Sequence, residues 1–221
     1  MEVRKPCSYG LRPSVLAFGG GRCYNNGALL TTYVAFDLET TGLDPQSDAI
    51  IEIGAVKFTR EGVVDQFATL VNPFRPIPER VQILTGIRQE DVQDAPPLEA
   101  VAADLETFIE GCPLVGSNVI GFDAPVLDAR GVRRGDEIYD THDLASMLLP
   151  GLAEYGLAGL ARQFEIEMPV HHRAPADAET SRQVFLALAR EAASLPADVL
   201  SQVAEWLAPT AWPGRGAEHL F

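Results

Sequence analysis

Residues 32–42 read Thr32-Tyr33-Val34-Ala35-Phe36-Asp37-Leu38-Glu39-Thr40-Thr41-Gly42. A short apolar run of β-branched and aromatic residues reads as a buried strand. This one closes on two carboxylates and breaks at Thr41-Gly42, with Asp44-Pro45 just beyond. Residues i and i+2 of a strand share a face, so Asp37 and Glu39 stand side by side at its end. Two like charges that close repel, and one pKa rises unless a cation lies between them. Metal binding explains such a pair better than stability does. Taken alone, Asp-x-Glu reads equally well as two solvent-facing charges.

Outward from this strand, Ala49 to Phe58 gives a second strand, Glu61-Gly62 a turn and Val63 to Val71 a third. Short connections predict an antiparallel meander. Pro73, Pro76 and Pro78 mark a loop before a short helix over Glu79–Leu84. Leu98, Val101, Ala102, Leu105, Phe108 and Ile109 have helical spacing. Pro113 to Gly116 is a fourth strand, Asp123 to Arg130 a helix stopped by Gly131, and Glu137 to Asp140 a fifth strand. Helices come next over Leu144–Leu149, Leu157–Phe164, Ala176–Ala193 and Ala197–Leu207. Three strands, then strands alternating with helices, predict a mixed sheet covered by helices.

A chain of 221 residues, 47% hydrophobic and 22% charged, fits one globular domain with short extensions. We assign that domain to 31–193. Residues 1–30, rich in Gly, Asn and Arg and without periodicity, read as a disordered extension, or as residues upstream of a true start near Leu29 or Leu30. Residues 194–221 read as a C-terminal helix and tail. Cys7, Cys23 and Cys112 lack zinc-knuckle or redox spacing. No apolar run approaches the roughly 18 residues of a membrane span. Ser14 to Phe18 is shorter than the secretory core of about 7–15 residues. The expectation is a cytoplasmic protein without membrane contact. A net charge of −14 argues against a broad basic surface for nucleic acid. It suits an enzyme that meets phosphate through divalent cations, whose ligands are clustered carboxylates.

Two further segments carry candidate chemistry. In Val115-Gly116-Ser117-Asn118-Val119-Ile120-Gly121-Phe122-Asp123, a strand ends and Asp123 opens a helix. The helix dipole favours an anion there, although taken alone an ordinary helix-start Asp is the better reading. In His171-His172-Arg173-Ala174-Pro175-Ala176-Asp177, the acid lies in the first helical turn and His172 in the entry loop. Such a histidine can titrate near neutrality, but by itself it reads better as a surface or capping residue. His171 reads as structural or exposed.

Together these segments resemble the three motifs of the DEDDh, or DnaQ-like, 3′→5′ exonuclease superfamily. The matching residues are Phe36-Asp37-Leu38-Glu39-Thr40-Thr41-Gly42-Leu43, then Asn118 to Phe122-Asp123, then His172-Arg173-Ala174 to Asp177-Ala178. Order and spacing fit over about residues 32–190. Leu84-Thr85-Gly86-Ile87 and Asp140-Thr141 also resemble family segments. The resemblance implies an α/β, RNase H-like fold with a mixed five-stranded sheet and helices on both faces. It implies two Mg²⁺ or Mn²⁺ ions: Asp37, Glu39 and Asp177 hold one, Asp37 bridges to the second, and Asp123 binds the second through water. It makes His172 the general base. Thr40, Thr41, Gly42, Leu43, Asn118 and Phe122 would bind the terminal nucleotide.

The implied reaction is hydrolysis at nucleic-acid 3′ ends, of single-stranded DNA first, releasing nucleoside 5′-monophosphates in replication or repair. The alternatives are an RNA-trimming exoribonuclease, a non-catalytic binding module of a larger assembly and, more weakly, a phosphatase. Two features depart from the family pattern. Ser117 stands where His is common, and the Asn118-to-Asp123 interval is one residue longer than usual. The stretch from Leu195-Pro196 to Trp212-Pro213-Gly214 is similar to the region C-terminal to the nuclease domain in fusions with DinG-type helicases. The acidic charge and this tail point to a helicase or polymerase partner.

Overall fold

A computed structural model describes residues 31–135, 137–196 and 198–199, together with a two-rung antiparallel ladder of β1 (Tyr24–Asn25) and β2 (Ala28–Leu29). The rest of the 1–30 extension, and the tail beyond residue 199, lie outside the described residues.

The main sheet contains β3 (Tyr33–Thr40), β4 (Ile50–Thr59), β5 (Gly62–Leu70), β6 (Leu114–Gly116) and β7 (Ile138–Asp140). Its order is β5-β4-β3-β6-β7. The first three strands form the antiparallel meander, and β6 and β7 add parallel to β3. This is the mixed five-stranded sheet the sequence implies.

Period-two alternation along β3 assigns the two faces. Val34, Phe36 and Leu38 enter one core, against Leu105 and Ile109 of α3 (Leu98–Ile109) and Val126 and Leu127 of α4 (Asp123–Ala129). Tyr33 and Ala35 enter the other, against α5 (Thr141–Leu148), α6 (Leu157–Gln163) and α7 (Ala174–Ser194). There Phe185 of α7 packs on Tyr33 and Tyr139, with ring centroids 5.1 and 5.5 Å apart. Such aromatic pairs add about 0.5–1.5 kcal/mol each beyond burial. They hold α7 across the middle of the sheet.

Short α1 (Glu79–Thr85) and α2 (Gln89–Val92) cover the end of β4 through Ile77, Val81, Ile87 and Val92. Two helices begin earlier than their apolar periodicity predicts. α5 starts at Thr141 because Asp140 caps it, accepting from the His142 N–H at 3.0 Å. α7 starts at Ala174 because Pro175 falls in its first turn, where a missing N–H costs nothing.

Candidate active site

The parallel strands β3 and β6 part after the Ala35–Val115 rung, and a cleft of about 520 Å³ opens there. Crevices at the carboxyl ends of parallel strands are where open α/β sheets bind ligands. Asp37, Glu39, Leu43, Ser117, Asn118, Phe122, Asp123, His171, His172 and Asp177 all line it.

Each acid arrives by a different local device. Asp37 and Glu39 continue the Tyr33–Ala35 face of β3 and so look towards α7. Asp177 lies in the first turn of α7. Ligand oxygens of Asp37, Glu39 and Asp177 come within 4.8 Å of one another. Asp123 enters from the opposite face of the sheet. Its Oδ1 accepts the Leu38 N–H at 2.9 Å, a β3 donor that β6 is too short to pair. The carboxylate thus finishes the ladder and is fixed in the cleft.

The longer loop before Asp123 is held by Asp140, which accepts the Asn118 N–H at 3.0 Å and the Ile120 N–H at 3.2 Å. Asn118 is left-handed there, at φ +59°. Thr40 and Thr41 turn into their own loop. The Thr40 hydroxyl donates to the Gly42 carbonyl, and Thr41 donates to Asp48 Oδ1 at 2.9 Å. Gly42 abuts the Asp48 carboxylate so closely that a Cβ would overlap it. These three residues shape a loop that presents Leu43, 84% exposed, at the cleft.

Residues without a sequence signal complete the frame. Glu52 of β4 pairs across the sheet with Glu39 and is buried. It accepts Arg173 Nη2 at 2.6 Å and Arg173 Nε at 3.1 Å, and its Oε2 accepts the Ala174 N–H at 2.8 Å. Glu52 therefore caps α7 from another element. A Cβ on Gly54 would overlap the Ala174 carbonyl and Pro175 N, so glycine lets α7 start directly on the sheet.

The charges here are frustrated. Burial first, then Asp123, Asp177 and Glu39, push Asp37 well above the usual carboxylate range. Burial, followed by Asp177 and Glu52, raises Glu39 to about 8. Burial raises Asp123 to about 8 against the Leu38 hydrogen bond, and Asp177 to about 6 against that of the His172 N–H. Burial, then His171, lowers His172, with Asp177 opposing. Asp177 Oδ1 is buried without a hydrogen-bond partner among the described residues. An orphaned carboxylate oxygen among crowded acids suits a hard divalent cation, which neutralises them and fills the vacant coordination.

An RNase H-like sheet with an acidic cleft where its parallel strands part defines a nuclease class. The exonuclease family of RNase T matches residues 34–185, and the chain belongs to that family. It is 36% identical over 160 residues to the DNA polymerase III subunit epsilon of Treponema pallidum, covering 69% of this chain and 74% of that protein. It is 32% identical to the 3′-5′ exonuclease DinG of Bacillus subtilis, over 77% of this chain and 19% of that protein. With the DNA polymerase III PolC-type of Caldanaerobacter subterraneus it shares 39% identity over 70% of this chain and 11% of the polymerase. The chain spans about a tenth of the length of such polymerases. Among solved structures, exonuclease X in complex with 5′ overhanging duplex DNA has a TM-score of 0.59 at 25% identity, over 72% of this chain and 90% of that one. Exonuclease I shares the fold, at a TM-score of 0.63 and 20% identity over 77% of this chain and 43% of that one. The chain is an exonuclease domain of the epsilon, PolC and DinG type. Among the described residues no helix is long and apolar enough to cross a membrane.

Proposed function

We propose that this domain removes nucleotides from the 3′ end of single-stranded DNA by two-metal phosphodiester hydrolysis, releasing nucleoside 5′-monophosphates. The observation that carries the proposal is the meeting of Asp37, Glu39 and Asp177 around the orphaned Asp177 Oδ1, with His172 on the same cleft wall. Asp37, Glu39 and Asp177 would hold one Mg²⁺ or Mn²⁺ ion, and Asp37 with Asp123 the other. When bound, such ions shield the phosphodiester and stabilise the attacking and leaving oxygens of an in-line displacement.

The protein's own groups do the rest. His172, kept neutral by its depressed pKa, accepts the proton of the attacking water. Leu43 and Phe122 offer apolar surface to the terminal nucleotide, and Asn118 hydrogen-bonding capacity. Thr40, Thr41 and Gly42 act by shaping the loop beneath Leu43. DNA is favoured over RNA because the epsilon and PolC relatives are named for DNA polymerase III. By the same analogy a polymerase or helicase is the partner.

A time course on matched single-stranded DNA and RNA tests this, with Mg²⁺ or Mn²⁺ and Asp37→Ala as control. Mononucleotides should appear from DNA and stop with EDTA. No release, or release that persists in EDTA, defeats the proposal; release from RNA alone moves the substrate.

A further inference from the structure

His171 has no contact role in the proposed hydrolysis, yet its ring lies stacked on that of His172, with centroids 3.8 Å apart and planes at 29°. Adjacent residues of an extended chain point to opposite sides. Here His172 is left-handed, at φ +60°, and this turns both imidazoles to one side. A non-glycine residue in that region is uncommon, and such strain gathers at ligand-holding sites. The two rings face the buried Asp177, whose Oδ1 has no hydrogen-bond partner among the described residues. One ligand atom from each of His171, His172 and Asp177 lies within 4.8 Å of the others.

We propose that His171, His172 and Asp177 form a second, nitrogen-rich metal site. It selects borderline transition ions such as Zn²⁺, and filling it switches the exonuclease off. Two imidazoles and a carboxylate are a zinc donor set, at bond lengths of about 2.0–2.2 Å. Stacked rings hold their in-plane lone pairs side by side, so closing to a tetrahedral site, with ligands about 3.3 Å apart, requires the exposed His171 ring to leave the stack and turn a nitrogen towards the ion that His172 and Asp177 hold. Mg²⁺ prefers oxygen and dehydrates reluctantly, so it gains little from the two imidazoles and competes only through the shared Asp177.

The two sites share Asp177. A zinc ion here also ties up the His172 ring nitrogen that accepts the proton. Occupancy therefore removes the base and distorts the magnesium site together. The inhibitory consequence rests on the exonuclease reading; the binding does not.

The test uses the full chain and His171→Phe, which keeps an aromatic ring on His172 and deletes the nitrogen. Zn²⁺ is titrated calorimetrically in saturating Mg²⁺, and DNA hydrolysis is measured over the same Zn²⁺ range. Wild type should bind one Zn²⁺ and lose activity in parallel. With inhibition normalised to each protein's own Mg²⁺-supported rate, the variant should show Zn²⁺ affinity and inhibition both weakened at least about tenfold. Loss of a mere outer partner of a metal ligand costs about 10–100-fold. His171→Gln serves should the phenylalanine variant misfold. Equal Zn²⁺ binding by wild type and variant overturns the site. Equal inhibition of both shows zinc merely replacing magnesium at the carboxylates, and overturns the switch. A wild type inactive with Mg²⁺ defeats the nuclease reading and the switch, while calorimetry still decides the site.

Discussion

Asp37 feels Asp123, Asp177 and Glu39 as well as its own burial. It is the carboxylate on which the cluster converges. Asp37→Ala is expected to abolish mononucleotide release while the fold persists by circular dichroism; near-normal activity would overturn the assignment. His172→Ala should lower kcat by about 10²–10⁴, the usual worth of a positioned base. The raised acids also set a pH signature. In the metal-free protein Glu39 lies at about 8 and Asp177 at about 6, above the unfolded carboxylate range near 4. Each binds its proton more tightly when folded. The stability this gives is fully present below about pH 4 and is lost as pH rises through about 6 and then 8. The metal-free melting temperature should therefore fall between about pH 5 and 8, and the gain on adding Mg²⁺ should grow over the same interval. Differential scanning calorimetry reads both trends. A metal-free protein that grows more stable across that window would count against the crowded cluster.

At the scale of elements, the site depends on where α7 begins. Glu52 holds Arg173 and the Ala174 N–H, and Gly54 lets the helix start against β4. Pro175 and Ala176 come next, and then Asp177. Glu52→Ala orphans the Ala174 N–H and frees Arg173, costing about 1–3 kcal/mol in urea unfolding. Because it moves Asp177 and His172 rather than the nucleotide pocket, kcat should fall more than KM rises; the reverse split would assign Glu52 to substrate binding. Gly54→Ala puts its methyl into backbone, which no side-chain rotation relieves, and should cost about 1–3 kcal/mol.

Neither residue was legible in the sequence. Glu52 and Arg173 lie 121 positions apart, so no local period encodes their pairing. α2 was equally hidden, since four residues with one buried side chain, Val92, show no periodicity. The strand through Asp37 could be read because alternation is local. The third motif could be read because His172 and Asp177 fall within one helix entry. The tasks of Thr40 and Thr41 could not, because sequence does not tell a hydroxyl that bonds its own loop from one that meets a ligand.

For the whole molecule the question is how a chain of net charge −14 holds a polyanion. No lysine or arginine lines the cleft among the described residues. Arg173, nearest the acids in sequence, is committed to Glu52. On the proposed reading phosphate contacts are few, and the rest of the grip would fall to the metal ions and to contact with apolar groups such as Leu43 and Phe122. Counterion release turns this into a number. For single strands the slope of log affinity against log salt is about −0.7 per phosphate neutralised. Two contacts give about a sevenfold loss between 50 and 200 mM salt, against about 10³–10⁵-fold for a basic groove making six to ten. With Mg²⁺ saturating, kcat/KM of the isolated chain on single-stranded DNA should accordingly fall by no more than about tenfold over that range. A thousandfold fall would reveal a basic path elsewhere on the chain and remove the motive for a partner. A shallow slope with weak binding would leave the partner to supply the affinity, and adding that partner should then steepen the salt dependence.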